Sequence, residues 1–78
     1  MHGVIMKNLK FAENLKTALT LNKKTQKELA EYLGTTQQTV SRWLTGKNEP
    51  DLSMLIHICI YLNETPNSIL NFDEITKA

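Results

Sequence analysis

Between Thr25 and Pro50 the chain reads TQKELAEYLGTTQQTVSRWLTGKNEP, a run that spells two short helices joined by a tight turn. Thr25 followed three residues later by Glu28 is a capping box. The hydroxyl and the carboxylate each satisfy a backbone N–H that the first helical turn leaves free, so a helix is predicted to begin at Gln26. Leu29, Ala30 and Leu33 give that helix one apolar stripe. Gly34 ends it, because a residue without a Cβ enters the left-handed conformation at little cost, and Thr36 is placed to cap a second helix starting at Gln37.

The second helix has two unlike faces. Val40, Trp43 and Leu44 recur at i, i+3 and i+4 and predict a buried side, while Gln38, Ser41, Arg42 and Thr45 fall on the opposite side and Gln37 stands near the boundary. Trp43, beside Val40, is expected to pack in the core rather than stack on a base. The outward residue types suit a DNA major groove. Glutamine pairs bidentately with N6 and N7 of adenine, arginine with O6 and N7 of guanine, and a threonine methyl rests on the thymine methyl. Gln26 starts the preceding helix, where backbone N–H groups favour phosphate, and is a candidate backbone anchor. The plainer alternatives are ordinary solvated glutamines at Gln37 and Gln38, and phosphate rather than base contact at Arg42.

The pattern T-Q-x-x-L-A-x-x-L-G-x-x-x-x-x-V-S-x-W-x-x-G-K-x-x-P over Thr25 to Pro50 resembles the lambda-repressor-like (Xre-type) helix-turn-helix domains. Within it, Gly34-Thr-Thr-Gln-Gln-Thr39 resembles the turn and recognition-helix start of lambdoid phage repressors. The resemblance implies an all-α, compact five-helix DNA-binding domain whose helix-turn-helix is formed by helices 2 and 3. It also implies DNA contact by the equivalents of Gln26, Gln37, Gln38 and Arg42, the first mainly at the backbone and the others at bases. Ser41 joins the expected base-contacting set, and Lys24, Thr36, Thr39 and Lys47 join Gln26 on the phosphates. The implied function is that of a small repressor or Cro-like regulator binding a near-palindromic double-stranded DNA operator as a homodimer, by occupancy and with no cofactor.

Seventy-eight residues make one domain, and a chain this short buries only somewhat more than about 60% of its unfolded surface. The single Cys59 forms no internal disulfide, no Cys and His set has metal-ligand spacing, and no stretch approaches the roughly 20 apolar residues of a membrane span. The opening MHGVIMK lacks the apolar core of a signal peptide, so a cytoplasmic location is expected by elimination. The net charge of +1 hides an asymmetry: residues 1–47 carry eight basic against three acidic side chains, a net +5, and residues 48–78 one against five, a net −4. Such a chain would orient on a polyanion, although an ordinary solvated surface satisfies the same numbers.

Around the central run, residues 1–7 read as a loose arm, 8–71 as the helix-turn-helix domain and 72–78 as a tail. Helix 1 is predicted from about Asn8 to Leu21 with Phe11, Leu15, Ala18 and Leu19 inward and Lys10, Glu13 and Lys16 outward. Two positions depart from the family pattern. Lys24 stands where relatives usually have an apolar residue. Leu19 and Leu44 stand where many carry an arginine and a glutamate, a double replacement that suits an apolar contact between them. Asp51 caps helix 4, whose inner stripe is predicted as Leu52, Leu55, Ile56, Cys59 and Leu62, and Thr65-Pro66 opens helix 5. Ile60, Tyr61, Phe72 and Ile75 leave enough apolar surface at this end to predict a dimer interface, against the alternative that Phe72 folds back onto its own subunit.

His57 is expected on the surface and Cys59 in the core, and no serine, cysteine or carboxylate has a base partner at a suggestive spacing, so no enzyme is expected. The alternative function is the antitoxin of a toxin–antitoxin pair, with helix 4 and the tail facing a toxin protein.

Overall fold

A computed structural model describes residues 10–70 of the chain. It contains α1 (Phe11–Leu21), α2 (Gln26–Leu33), α3 (Gln37–Leu44), α4 (Leu52–Leu62) and α5 (Pro66–Leu70), with no strand among the described residues. The expected all-α, five-helix architecture holds. The expected arm and tail, and with them Phe72 and Ile75, lie outside the described residues.

Helix starts follow the local chemistry. The Thr25 hydroxyl accepts from the Glu28 N–H at 3.1 Å and the Thr25 N–H donates to the Glu28 carboxylate at 2.8 Å, closing the capping box. Thr36 accepts from the Thr39 N–H at 3.1 Å, Asp51 from Met54 at 2.8 Å and Thr65 from Ser68 at 3.0 Å. Only α1 lacks a side-chain cap. Lys10, at φ −87° and ψ 42°, already stands outside it, and the expected start at Asn8 lies outside the described residues.

Four helix ends share one device: a left-handed residue turns the chain back so that two amides reach the last carbonyls. Gly34 (φ 71°) and Gly46 (φ 77°) do this after α2 and α3, where a Cβ would be strained. Lys23 (φ 56°) and Asn63 (φ 57°) do it after α1 and α4. After α1 the Lys24 N–H reaches the Leu19 carbonyl at 2.9 Å, and after α4 the Glu64 N–H reaches Cys59 at 2.9 Å.

One core joins all five helices: Phe11, Leu15, Ala18 and Leu19 from α1, Leu29 and Ala30 from α2, Val40, Trp43 and Leu44 from α3, Leu55, Ile58, Cys59 and Leu62 from α4, and Ile69 from α5. No polar or charged residue is buried with them among the described residues. Helix α1 packs on α3 and α5, and α2 on α3 and α4. Leu19 and Leu44 are each 5% exposed and lie in this one cluster on the packed pair α1 and α3, in keeping with an apolar substitute for an ion pair. Two asparagines tie the helices together through their amides. Asn22 Nδ2 donates to the carbonyls of Ala18 (2.7 Å) and Leu62 (3.0 Å), and Asn14 Nδ2 to that of Ile69 (2.9 Å).

The inner face of α4 corrects the expected stripe. Leu52 is 72% and Ile56 44% exposed, whereas Ile58, absent from the expected set, is fully buried. The helix carries two overlapping apolar rows. Packing against α2 on one side and α5 on the other selects Leu55, Ile58, Cys59 and Leu62, and Leu52, Ile56 and Ile60 are left as an outward row at i, i+4 and i+8.

Candidate nucleic-acid interface

The turn at Gly34 brings α3 across α2, and the two helices share Leu29, Ala30, Val40, Trp43 and Leu44 as a common core. This contact fixes the rotation of α3 about its axis. Val40 is fully buried and Trp43 only 4% exposed, so the opposite side of the helix has to face solvent. Gln37, Gln38, Arg42 and Thr45 are exposed there, and Ser41 is half-buried at the edge. The indole points into the domain and the paired amides point away from it.

Other expected contact residues surround this face. Gln26 is half-buried at the first position of α2, directly after the capping box. Thr36 is exposed and Thr39 half-buried, with their hydroxyl oxygens 2.9 Å apart, so one donates to the other beside the N-terminus of α3. Lys47 is exposed just beyond the helix. Its backbone N–H donates to the Arg42 carbonyl at 2.9 Å, which ties the loop to the reading helix. From Thr35 to Asn48 the chain has two cations and no acidic residue, so no carboxylate on this segment opposes an approaching polyanion.

Lys24 is half-buried, and its ammonium lies 5.3 Å from the centroid of the Tyr61 ring. Tyr61 is in turn stacked on Tyr32 of α2, with ring centroids 4.3 Å apart. Of the residues expected at a dimer interface, Tyr61 is thus engaged within the chain, and Ile60 is 64% exposed. The tyrosine stack was not foreseen in the sequence, where the two rings are far apart and neither stands in a motif.

His57 is exposed and Cys59 buried. Burial, with the Glu64 carboxylate second, pushes the Cys59 thiol above its ordinary range, so it stays a neutral core group. Among the described residues no group of three or more His, Cys, Asp or Glu side chains is placed to hold a metal ion, and no helix is long and apolar enough to cross a membrane. The arrangement offers hydrogen-bond donors and acceptors on a rigid helix beside backbone amides and lysines, which is the chemistry of groove reading.

Comparison with known proteins agrees with this geometry. A family model described as helix-turn-helix matches residues 15–69. The fold is similar to that of the SOS-response transcriptional repressor LexA from Eubacterium rectale, at 28% identity and a TM-score of 0.74 over 83% of this chain and 68% of that one. It is also similar to a transcriptional regulator from Listeria innocua, at 25% identity and a TM-score of 0.75 over 81% of this chain and 59% of that one. A third similar structure, apo-HppE, has 33% identity and a TM-score of 0.72 over 77% of this chain, which spans only 34% of that protein. No curated protein sequence gives a significant match.

Proposed function

The chain belongs to the lambda-repressor-like (Xre-type) helix-turn-helix family, and on that premise we propose that it is a sequence-specific DNA-binding transcriptional regulator of the cytoplasm. The observation that carries this reading is the opposition of faces on α3, with Val40, Trp43 and Leu44 buried and Gln37, Gln38 and Arg42 exposed. Gln37, Gln38 and Arg42, with Ser41 at the edge, read base edges in the major groove; Gln26, Thr36, Thr39 and Lys47 hold backbone phosphates and set the register. The mechanism is occupancy. The bound domain excludes or recruits the transcription machinery and performs no chemistry of its own. The repressor name of one similar structure, LexA from Eubacterium rectale, favours repression in the manner of a repressor or Cro-like switch.

The protein acts as a homodimer on a near-palindromic operator, with recognition helices one DNA turn, roughly 34 to 36 Å, apart. The outward row Leu52, Ile56 and Ile60 on α4 supports a protein contact at this end of the molecule. The same row supports the second reading, an antitoxin that presents it to a toxin protein; co-purification with a second small polypeptide separates the two.

The test is a fluorescence-anisotropy titration on the preferred duplex. Gln38→Ala costs about 1 to 3 kcal/mol there and relaxes the preference at one base position. Lys47→Ala weakens all sequences alike and reduces the salt slope by roughly one. Unchanged affinity and slope in both variants contradict the assignment.

A further inference from the structure

Where α1, the α1–α2 loop and the start of α2 meet the end of α3, a cleft of about 360 Å³ is bordered by Lys16, Leu19, Thr20, Lys24, Gln26 and Leu44. Lys16 and Thr20 project from one row of α1, four residues apart, and Gln26 comes from the first position of α2. The two leucines, each 5% exposed, give the cleft an apolar floor that strengthens any charge contact made above it. Among the described residues, no acidic one borders it. Two other clefts on the surface each carry a carboxylate, Asp51 beside Tyr32 and His57 in one and Glu64 beside Ser68 in the other. Glu28, which starts α2 with Gln26, is turned into its capping bond with the Thr25 N–H at 2.8 Å and does not border the cleft.

The two lysines at the rim are in different states. The Lys24 ammonium stands 5.3 Å from the Tyr61 centroid, and Tyr61 is held by Tyr32, so drawing that ammonium onto a phosphate gives up a cation–π attraction. Lys16 is exposed, and its side chain makes no ion pair or hydrogen bond among the described residues. Its charge is available at no such cost.

We propose that this cleft seats a DNA backbone phosphate, that Lys16 of α1 makes the charged contact with Thr20 and Gln26 beside it, and that Lys24 is a structural residue tying the α1–α2 loop to α4 through Tyr61. The assignment deepens the DNA-binding reading and rests on it. It extends the interface from α2 and α3 to α1, and it moves the phosphate contact from the lysine nearer in sequence to one nine residues before the α2 cap.

The experiment measures binding of the full chain to a fluorescein-labelled duplex of mixed sequence as salt is raised from about 50 to 200 mM, where each phosphate contact contributes roughly 0.9 to the slope of log K against log salt. Lys16→Met lowers that slope by about one, so that affinity falls about threefold less across the range, and Lys16→Arg keeps the wild-type slope. Lys24→Met leaves the slope at the wild-type value. Loss of slope in Lys24→Met with none in Lys16→Met overturns the assignment while leaving the DNA reading in place, and so does a wild-type slope in both. A wild-type protein with no salt-dependent binding to any duplex brings down the DNA reading itself.

Discussion

Lys23 is the residue whose conformation its own chemistry favours least. With φ at 56° it closes α1 in the left-handed region, where a Cβ costs roughly 1 to 2 kcal/mol. Lys23→Gly removes that cost and loses part of it again to the freer unfolded chain, so the expected gain is about 0.5 to 1 kcal/mol, read as a rise of a few degrees in the midpoint of a thermal melt. Asn63, at φ 57°, tolerates this region better, and Asn63→Gly gains less. At this scale the starts of α2 to α5 were legible, and so were the ends of α1 at Leu21 and α4 at Leu62, but not the left-handed turns that make those two ends. Thr25, Glu28, Thr36, Asp51 and Thr65 act on amides three residues away, so their roles are written in nearby sequence. At Lys23 and Asn63 the chain turns left without the glycine that announces such a turn at Gly34 and Gly46. Asn14 and Asn22 bond carbonyls 55 and 40 residues away, and nothing local marks them as ties between helices.

Helix α3 concentrates packing on one side and recognition on the other, so the two functions respond to different substitutions. Trp43→Ala removes the largest side chain of its buried face and costs about 3 to 5 kcal/mol. A domain of this size has a total stability of roughly 4 to 12 kcal/mol, at about 0.05 to 0.15 kcal/mol per residue, so the variant stands near the margin of unfolding. Gln37→Ala, on the solvent side, shifts stability by no more than about 0.5 kcal/mol. Urea unfolding followed by far-ultraviolet circular dichroism checks both, and a Trp43→Ala midpoint equal to the wild type contradicts the packing. The faces of α3 were legible because Val40, Trp43 and Leu44 are its only large apolar residues. Those of α4 were not. A helix reading LSMLIHICIYL is apolar on nearly every side, so periodicity alone offers more than one inner row, and the choice of Ile58 over Leu52 and Ile56 is made by where α2 and α5 lie.

The whole molecule is electrically lopsided, with a net +5 over residues 1–47 and −4 over residues 48–78. The basic part contains the proposed DNA face and the acidic part the outward row on α4, so a polyanion is drawn to the basic part. The helix-turn-helix was legible from one run of 26 residues because caps, a turn glycine and a two-faced helix all agree there. The cleft at Lys16 was not, since it exists only where the loop and three helices meet. Selecting duplexes from a random-sequence pool with the full chain tests the function and the symmetry together. The opposed faces of α3 predict enrichment of a defined sequence, and the proposed homodimer predicts that it is a near-palindrome whose half-sites lie about 10 to 10.5 base pairs apart, or a multiple of that spacing, centre to centre; a selected pool no different from the starting pool contradicts the account.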